Sequence, residues 1–184
     1  GKLVFADGSE STFEVLLSGV SIGDATAAND ILFRPEGELD GGLGDDRLIG
    51  GGGDNVYHFW LNGGTDLILD SAASGTDQLV FEQGLSINDL EILIDGDTGD
   101  LVLRTLDGAA GVTIEGQYSN ADGAGIELFV FGGGTTLTSD DIRQIYFDRQ
   151  AGSGESVFEG TPEDDVFTAP DATDHFVYAF DGDD

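Results

Sequence analysis

The chain has 184 residues, a length that fits one domain or one and a half. Its 37 Asp and Glu against 6 Lys and Arg give a formal charge of −31, which excludes nucleic acid or an anionic membrane as a partner drawn by charge. With no Cys there is no disulfide framework or zinc–thiolate site, His58 and His175 are too few for a His-based metal site or triad, and no apolar run reaches the ~18 residues that span a bilayer.

High net charge is one route to disorder. Here, however, 39% of residues are hydrophobic and they sit in strand-like runs. The other explanation of the acid excess is that cations belong to the fold. Hard cations take carboxylate and carbonyl oxygens, and Gly lets backbone carbonyls approach closely. The placement of Asp relative to Gly decides between the two.

At the N-terminus, residues 3–16 (LVFADGSESTFEVL) align without gaps to residues 129–142 (FVFGGGTTLTSDDI), Leu3 falling on Phe129 at an offset of 126. Residues 1–19 therefore read as the end of a preceding repeat unit, with a long period of ~125–140 residues. Residues 20–78 follow as a segment of stacked turns, 79–150 as a β-rich cap, and 155–184 as the start of the next unit.

The first turn of the stacked segment is Ala25-Thr26-Ala27-Ala28-Asn29-Asp30-Ile31-Leu32, with Asp in sixth place and Leu in eighth. The stretch 34–40 is short and lacks the sixth-place Asp. Then two nonapeptides stand in register: Gly41-Gly42-Leu43-Gly44-Asp45-Asp46-Arg47-Leu48-Ile49 and Gly50-Gly51-Gly52-Gly53-Asp54-Asn55-Val56-Tyr57-His58. Both fit G-G-x-G-x-(D/N)-x-U-x, where U is a large apolar residue. Residues 62–68 and 74–79 are two further turn-and-strand segments. Six Gly-rich residues form a turn with carbonyls free to point inward, the sixth adds a carboxylate, and the middle of the next three faces the core. A flexible linker does not explain Leu48 and Tyr57 at matched positions. A phosphate loop would need Lys and Ser or Thr after its last Gly, and neither follows.

These residues resemble the haemolysin-type calcium-binding repeats of RTX proteins. The resemblance implies an all-β fold, a parallel β-roll in which turn n stacks on turn n+2. It also implies Ca²⁺ held by positions two, four and six of one turn and one, three and six of turn n+2. Transferred here, one site takes Thr26, Ala28 and Asp30 with Gly41, Leu43 and Asp46. A second takes Gly42, Gly44 and Asp46 with Leu61, Gly63 and Asp66. A third takes Gly51, Gly53 and Asn55 with Ala72, Ser74 and Asp77, weakened because Asn55 removes a charge. The site at the short 34–37 turn is expected to be empty. Asp165 and Asp184 would serve the turns of the next unit.

In 79–150 apolar runs alternate with turns. Residues 79–81, 112–114 and 126–131 read as strands, and Ser86 caps one helical turn. Residues 91–94 and 101–104 flank Asp95-Gly96-Asp97-Thr98-Gly99-Asp100, a hairpin by its turn residues. An EF-hand loop fails there, since Asp100 stands where Gly is needed and Leu106 where Glu is needed. Thr138 or Ser139, followed by Asp140 and Asp141, caps a short helix through Ile142, Ile145 and Tyr146. The patterns at 77–81, 84–90 and 131–142 are similar to the related domain that often follows RTX repeats. That similarity implies an antiparallel β-rich cap with one or two short helices over the open end of the roll, where unpaired edges invite aggregation. Alternate members of Tyr57-His58-Phe59-Trp60 are expected to pack between turns and cap, rather than form an aromatic sugar-binding patch.

After a joint at 151–154, residues 160–167 and 174–176 are fresh turns, and 182–184 break off inside another. The chain thus reads as a section of a longer protein, or as a unit that joins identical chains end to end. The RTX resemblance implies a calcium-binding structural module of a large secreted bacterial protein, exported by type I secretion and folding on extracellular calcium. Such a module would serve a cell surface, adhesin, surface layer or matrix. The alternative is a non-catalytic carrier beside a secreted enzyme or toxin. Expected partners are calcium, neighbouring units and a carbohydrate or surface ligand, with no nucleic acid and no membrane insertion. No nucleophile elbow, metal-hydrolase motif or triad order points to an enzyme.

Overall fold

A computed structural model describes residues 2–4, 10–12, 20–21, 25–70, 75–119, 125–152, 157–160 and 176–178. Among these residues the regular structure is mostly β, with one α-helix. The strands are β1 (Lys2–Val4), β2 (Glu10–Thr12), β3 (Val20–Ser21), β4 (Ile31–Phe33), β5 (Gly37–Asp40), β6 (Arg47–Ile49), β7 (Asn55–Phe59), β8 (Thr65–Leu69), β9 (Gln78–Phe81), β10 (Leu90–Ile94), β11 (Leu101–Thr105), β12 (Gly111–Ile114), β13 (Leu128–Val130), β14 (Thr136–Thr138), β15 (Val157–Glu159) and β16 (Phe176–Tyr178). Helix α1 is Ser139–Gly152.

From β4 to β9 successive strands alternate between two sheets. β4, β6 and β8 pair in parallel in one; β5, β7 and β9 pair in parallel in the other. Strand n thus lies beside strand n+2, because each Gly-rich turn carries the chain across to the other sheet. The registers align the eighth-place residues into two rows. One row is Leu32, Leu48, Ile68 and Ile114; the other is Leu39, Tyr57, Leu79 and Phe129. All eight are buried in a single core, with the strand pattern alternating as period two requires.

The strands after β9 extend both sheets. β10 and β11 form the expected hairpin and β12 continues it antiparallel, but β12 then joins β8 in parallel, giving a seven-stranded sheet in the order β10-β11-β12-β8-β6-β4-β3. β13 joins β9 in parallel and pairs β14 antiparallel, giving a five-stranded sheet in the order β14-β13-β9-β7-β5. The two sheets are mixed and neither closes on itself. The strand expected over 126–131 is shorter, β13 alone; at its start Glu127 and Leu128 both donate backbone N–H groups to the Asp77 carbonyl just before β9, at 3.2 and 3.1 Å.

Residues 95–100 form the expected hairpin turn: Asp95 Oδ1 accepts N–H groups of Asp97 and Thr98, both at 2.9 Å. Thr138 is the cap of α1. Its backbone N–H donates to Asp141 Oδ2 at 2.9 Å, while its Oγ1 accepts the Asp141 N–H at 3.2 Å. The helix is longer than expected and is held at its far end by Arg149, which donates to the carbonyls of Leu90 and Ile87 at 2.8 and 2.9 Å.

The long period has a counterpart in register. In β1–β2, Lys2 pairs Thr12 and Val4 pairs Glu10; in β13–β14, Leu128 pairs Thr138 and Val130 pairs Thr136. Every pair is displaced by 126. β15 begins at Val157, the same displacement from Ile31 of β4, and it pairs β16 in parallel as β4 pairs β6.

Candidate metal centre

The sixth-place residues stack into two columns at the strand starts. On one side Asp30, Asp46 and Asp66 succeed one another. The Asp30 backbone N–H donates to Asp46 Oδ1 at 2.7 Å, and the Asp46 N–H donates to Asp66 Oδ1 at 3.0 Å. On the other side stand Asn55 and Asp77. The Asn55 N–H donates to Asp77 Oδ1 at 2.7 Å, and the Asp77 N–H donates in turn to Glu127 Oε2 at 2.6 Å. Asp46, Asp66, Asp77 and Glu127 thereby each spend one oxygen on the neighbouring turn, whereas Asp30 Oδ2 accepts the N–H and hydroxyl of Thr26 in its own turn, at 2.7 and 2.8 Å.

Glu127 was not foreseen. Residues 122–129 (DGAGIELF) place Gly123, Gly125, Glu127 and Phe129 in second, fourth, sixth and eighth position, so the signal was present but carried by Glu instead of Asp. In the other column β12 puts Val112 opposite Asp66, and the run of carboxylates ends there. Asp70 was also missed. It is buried just after β8 and accepts the Tyr57 hydroxyl at 2.7 Å.

The second carboxylate oxygens meet a different environment. Asp46 is 2% exposed, and its Oδ2 is buried without a hydrogen-bond partner. A charged oxygen buried alone costs several kcal/mol, on the order of 3–5, unless a cation or donor meets it. Carbonyls lie in the same layers. A Cβ on Gly44 would stand 2.8 Å from the Ala28 oxygen, one on Gly42 3.1 Å from the Thr26 oxygen, and one on Gly63 3.3 Å from the Gly42 oxygen. A Cβ on Gly41 would overlap Asp46 Oδ2 itself. Gly in these turns is thus a requirement of carbonyl and carboxylate approach.

The structure therefore brings together Thr26, Ala28 and Asp30 with Gly41, Gly42, Leu43, Gly44 and Asp46, and these in turn with Gly63 and Asp66. The Gly63 carbonyl already accepts the Gly44 N–H at 2.7 Å, which leaves it one lone pair. Leu61 lies in the loop after β7. Gly53 faces the next turn, since a Cβ on Gly75 would stand 2.8 Å from its oxygen, and Gly51 backs on Pro35. Ala72, Ser74, Asp165 and Asp184 lie outside the described residues.

Electrostatics push the columns toward neutralisation. Burial pushes Asp66 up to about 6, against the pull of the Asp46 N–H, and Asp46, Asp45 and Asp40 push the same way. Burial likewise raises Asp77 to about 6, with Asp70, Glu127 and Asp54 adding to it and the Asn55 N–H opposing. Asp46 is raised for the same leading reason, again reinforced by neighbouring carboxylates. Among the described residues no three carboxylate or imidazole side chains converge as a metal cluster. Two carboxylates per layer among backbone carbonyls make a donor set of a different kind, all hard oxygen, which fits Ca²⁺ rather than zinc or copper.

Residues 89–141 match the family described as haemolysin-type calcium binding protein related domain. That domain is the resemblance expected in this part of the chain. It contains β10 through β14, the first turn of α1 and Glu127. It is a calcium-binding family by description and not a catalytic one. No curated protein matches the sequence. Among the described residues no helix is long and apolar enough to cross a membrane.

The Tyr57–Trp60 segment packs as expected on alternate sides. Tyr57 and Phe59 are buried, and Phe59, Phe81 and Phe131 form a chain of rings with centroids 5.5 and 4.4 Å apart. His58 Nδ1 meets Glu82 Oε1 at 2.9 Å, and Trp60 donates its indole N–H to Asp40 at 3.1 Å.

Proposed function

We propose that the chain is a non-catalytic, calcium-binding structural module whose alternating strands form a parallel β-roll continued by the β-rich domain. The observation that carries this reading is the orphaned, buried Asp46 Oδ2 within a column of three carboxylates and facing turn carbonyls. Asp30, Asp46 and Asp66 would hold calcium with the carbonyls of Thr26, Ala28, Gly41, Leu43, Gly42, Gly44, Leu61 and Gly63. Gly51, Gly53, Asn55 and Asp77 would contribute to a further layer with Ala72 and Ser74. Bound Ca²⁺ supplies the positive charge these columns lack.

Without it, buried like charges hold the turns apart, which suits export of an extended chain. The module would then fold outside the cell, as part of a larger type I secreted protein serving adhesion, a surface layer or matrix assembly. For a site whose free calcium is tenfold above its dissociation constant, occupancy adds about 1.4 kcal/mol, so three sites add about 4 kcal/mol. That is comparable to the whole stability of a small domain. Titration of the full chain with calcium, followed by circular dichroism and metal stoichiometry, tests the reading. The expected result is two or three bound ions and, in EGTA, a weakened β signal with a lowered but still measurable melting temperature. An unchanged spectrum in EGTA, or no bound calcium, overturns it.

A further inference from the structure

The 34–37 turn faces the 51–55 turn, and there the pattern changes on both sides. The register sets Gly37 opposite Asn55, so one sixth place has no side chain and the other has an amide. Asn55 is fully buried. Its Oδ1 accepts the Gly51 N–H at 3.2 Å, while its Nδ2 donates to the Arg34 and Gly37 carbonyls over 3.4 and 3.5 Å. On the opposite side of the stack the same place holds Asp46. It is isosteric with Asn55, but an orphaned oxygen replaces the NH₂ group.

An acceptor among carbonyls needs a cation between them. A donor among carbonyls needs none.

We propose that the Asn55 amide stands in for the cation between the 34–37 and 51–55 turns, so that this layer closes without metal, and that Asn55→Asp opens a calcium site there. The substitution would place a carboxylate oxygen against two carbonyls. A second carboxylate is at hand: Glu36 Oε2 is 3.3 Å from the point a Gly53 Cβ would occupy, and the Pro35 oxygen is 3.2 Å from it. The wild-type chain thus carries one metal-free layer among calcium-dependent ones, a point from which the stack can close before calcium arrives. The proposal rests on the calcium reading of the Asp columns.

The test compares wild type, N55D and N55A as full chains, in EGTA and in millimolar calcium, by thermal melting and by native mass spectrometry for bound calcium. In EGTA, N55D is expected to melt roughly 2–6 °C below wild type or to stay unfolded, because a carboxylate now faces carbonyls. In calcium it is expected to recover and to bind one ion more than wild type, an excess that persists when Asp77→Asn is placed in both chains to remove the layer Asn55 shares with Asp77. N55A is expected to lose stability in both conditions and gain no ion. If wild type binds calcium while N55D adds none, or if N55D melts with wild type in EGTA, the proposal is overturned alone. If N55D fails to fold even in calcium, the opened site is overturned. If wild type binds no calcium at all, the reading of the Asp columns falls first.

Discussion

Asp66 and Asp77 set the pH behaviour of the metal-free chain. Each is raised from 3.8 to about 6 in the fold. A carboxylate raised on folding contributes stability that is fully present below its unfolded value and is withdrawn as pH rises through its folded value. In EGTA the melting temperature is therefore expected to fall between pH 4 and 7, most steeply near about 5, midway between the unfolded and folded values. In saturating calcium that decline disappears. Thermal melts across this range check the sign, and a profile that rises in EGTA contradicts it. Asp89, Asp95, Asp107 and Asp141 are lowered by hydrogen bonds within their own turns and act only at pH below this window. Asp46→Asn makes the reciprocal prediction to the Asn55 exchange. Removing the orphaned charge should stabilise the chain in EGTA by about 1–3 kcal/mol, the cost of one unsatisfied buried group, while lowering calcium stoichiometry. Denaturant titration with and without calcium separates the two effects.

At the scale of elements, the turns depend on backbone approach and the strands on one buried residue each. Gly64 has φ +109°, and a Cβ there would overlap the Gly44 carbonyl; Gly133 has φ +77° with open space around it. Gly64→Ala should cost about 2 kcal/mol or more, and Gly133→Ala about 1 kcal/mol, the left-handed penalty alone. Ile68→Ala, in the buried row, should cost about 2–5 kcal/mol. Urea unfolding in calcium measures all three. The period of nine made the elements from β4 to β9 legible, because Leu48, Tyr57 and their neighbours repeat at fixed spacing from a sixth-place Asp or Asn. The parallel joins of β12 to β8 and β13 to β9 were not legible. Val112 occupies the sixth place at the first join, where the backbone keeps the pattern and the side chain abandons it, and at the second Glu127 keeps a carboxylate there but in place of the expected Asp. Pairing across 46 residues, from Thr65 to Gly111, also leaves no local trace. Of the candidate site, the column carboxylates Asp30, Asp46, Asp66 and Asp77 were readable from composition and spacing. Asp70 was not, since its burial arises from the Tyr57 hydroxyl, thirteen residues away in sequence.

For the molecule as a whole, calcium and chelator should give two different particles: a compact one in calcium and an expanded one in EGTA, read as hydrodynamic radius. Equal radii would contradict coupled folding. The parallel pairing itself carries a kinetic consequence. From β4 to β9 each strand finds its partner 16 to 22 residues away, as Ile31 with Arg47 and Val56 with Gln78. The joins at the far edge span 46 and 50 residues, Thr65 with Gly111 and Gln78 with Leu128. Lengthening a closure from ~20 to ~50 residues costs only about 0.8 kcal/mol more, but the shorter closures can form on a chain that has barely emerged. Assembly can thus be vectorial, one short loop at a time, with no step that waits for a distant part of the sequence until the last strand of each sheet docks.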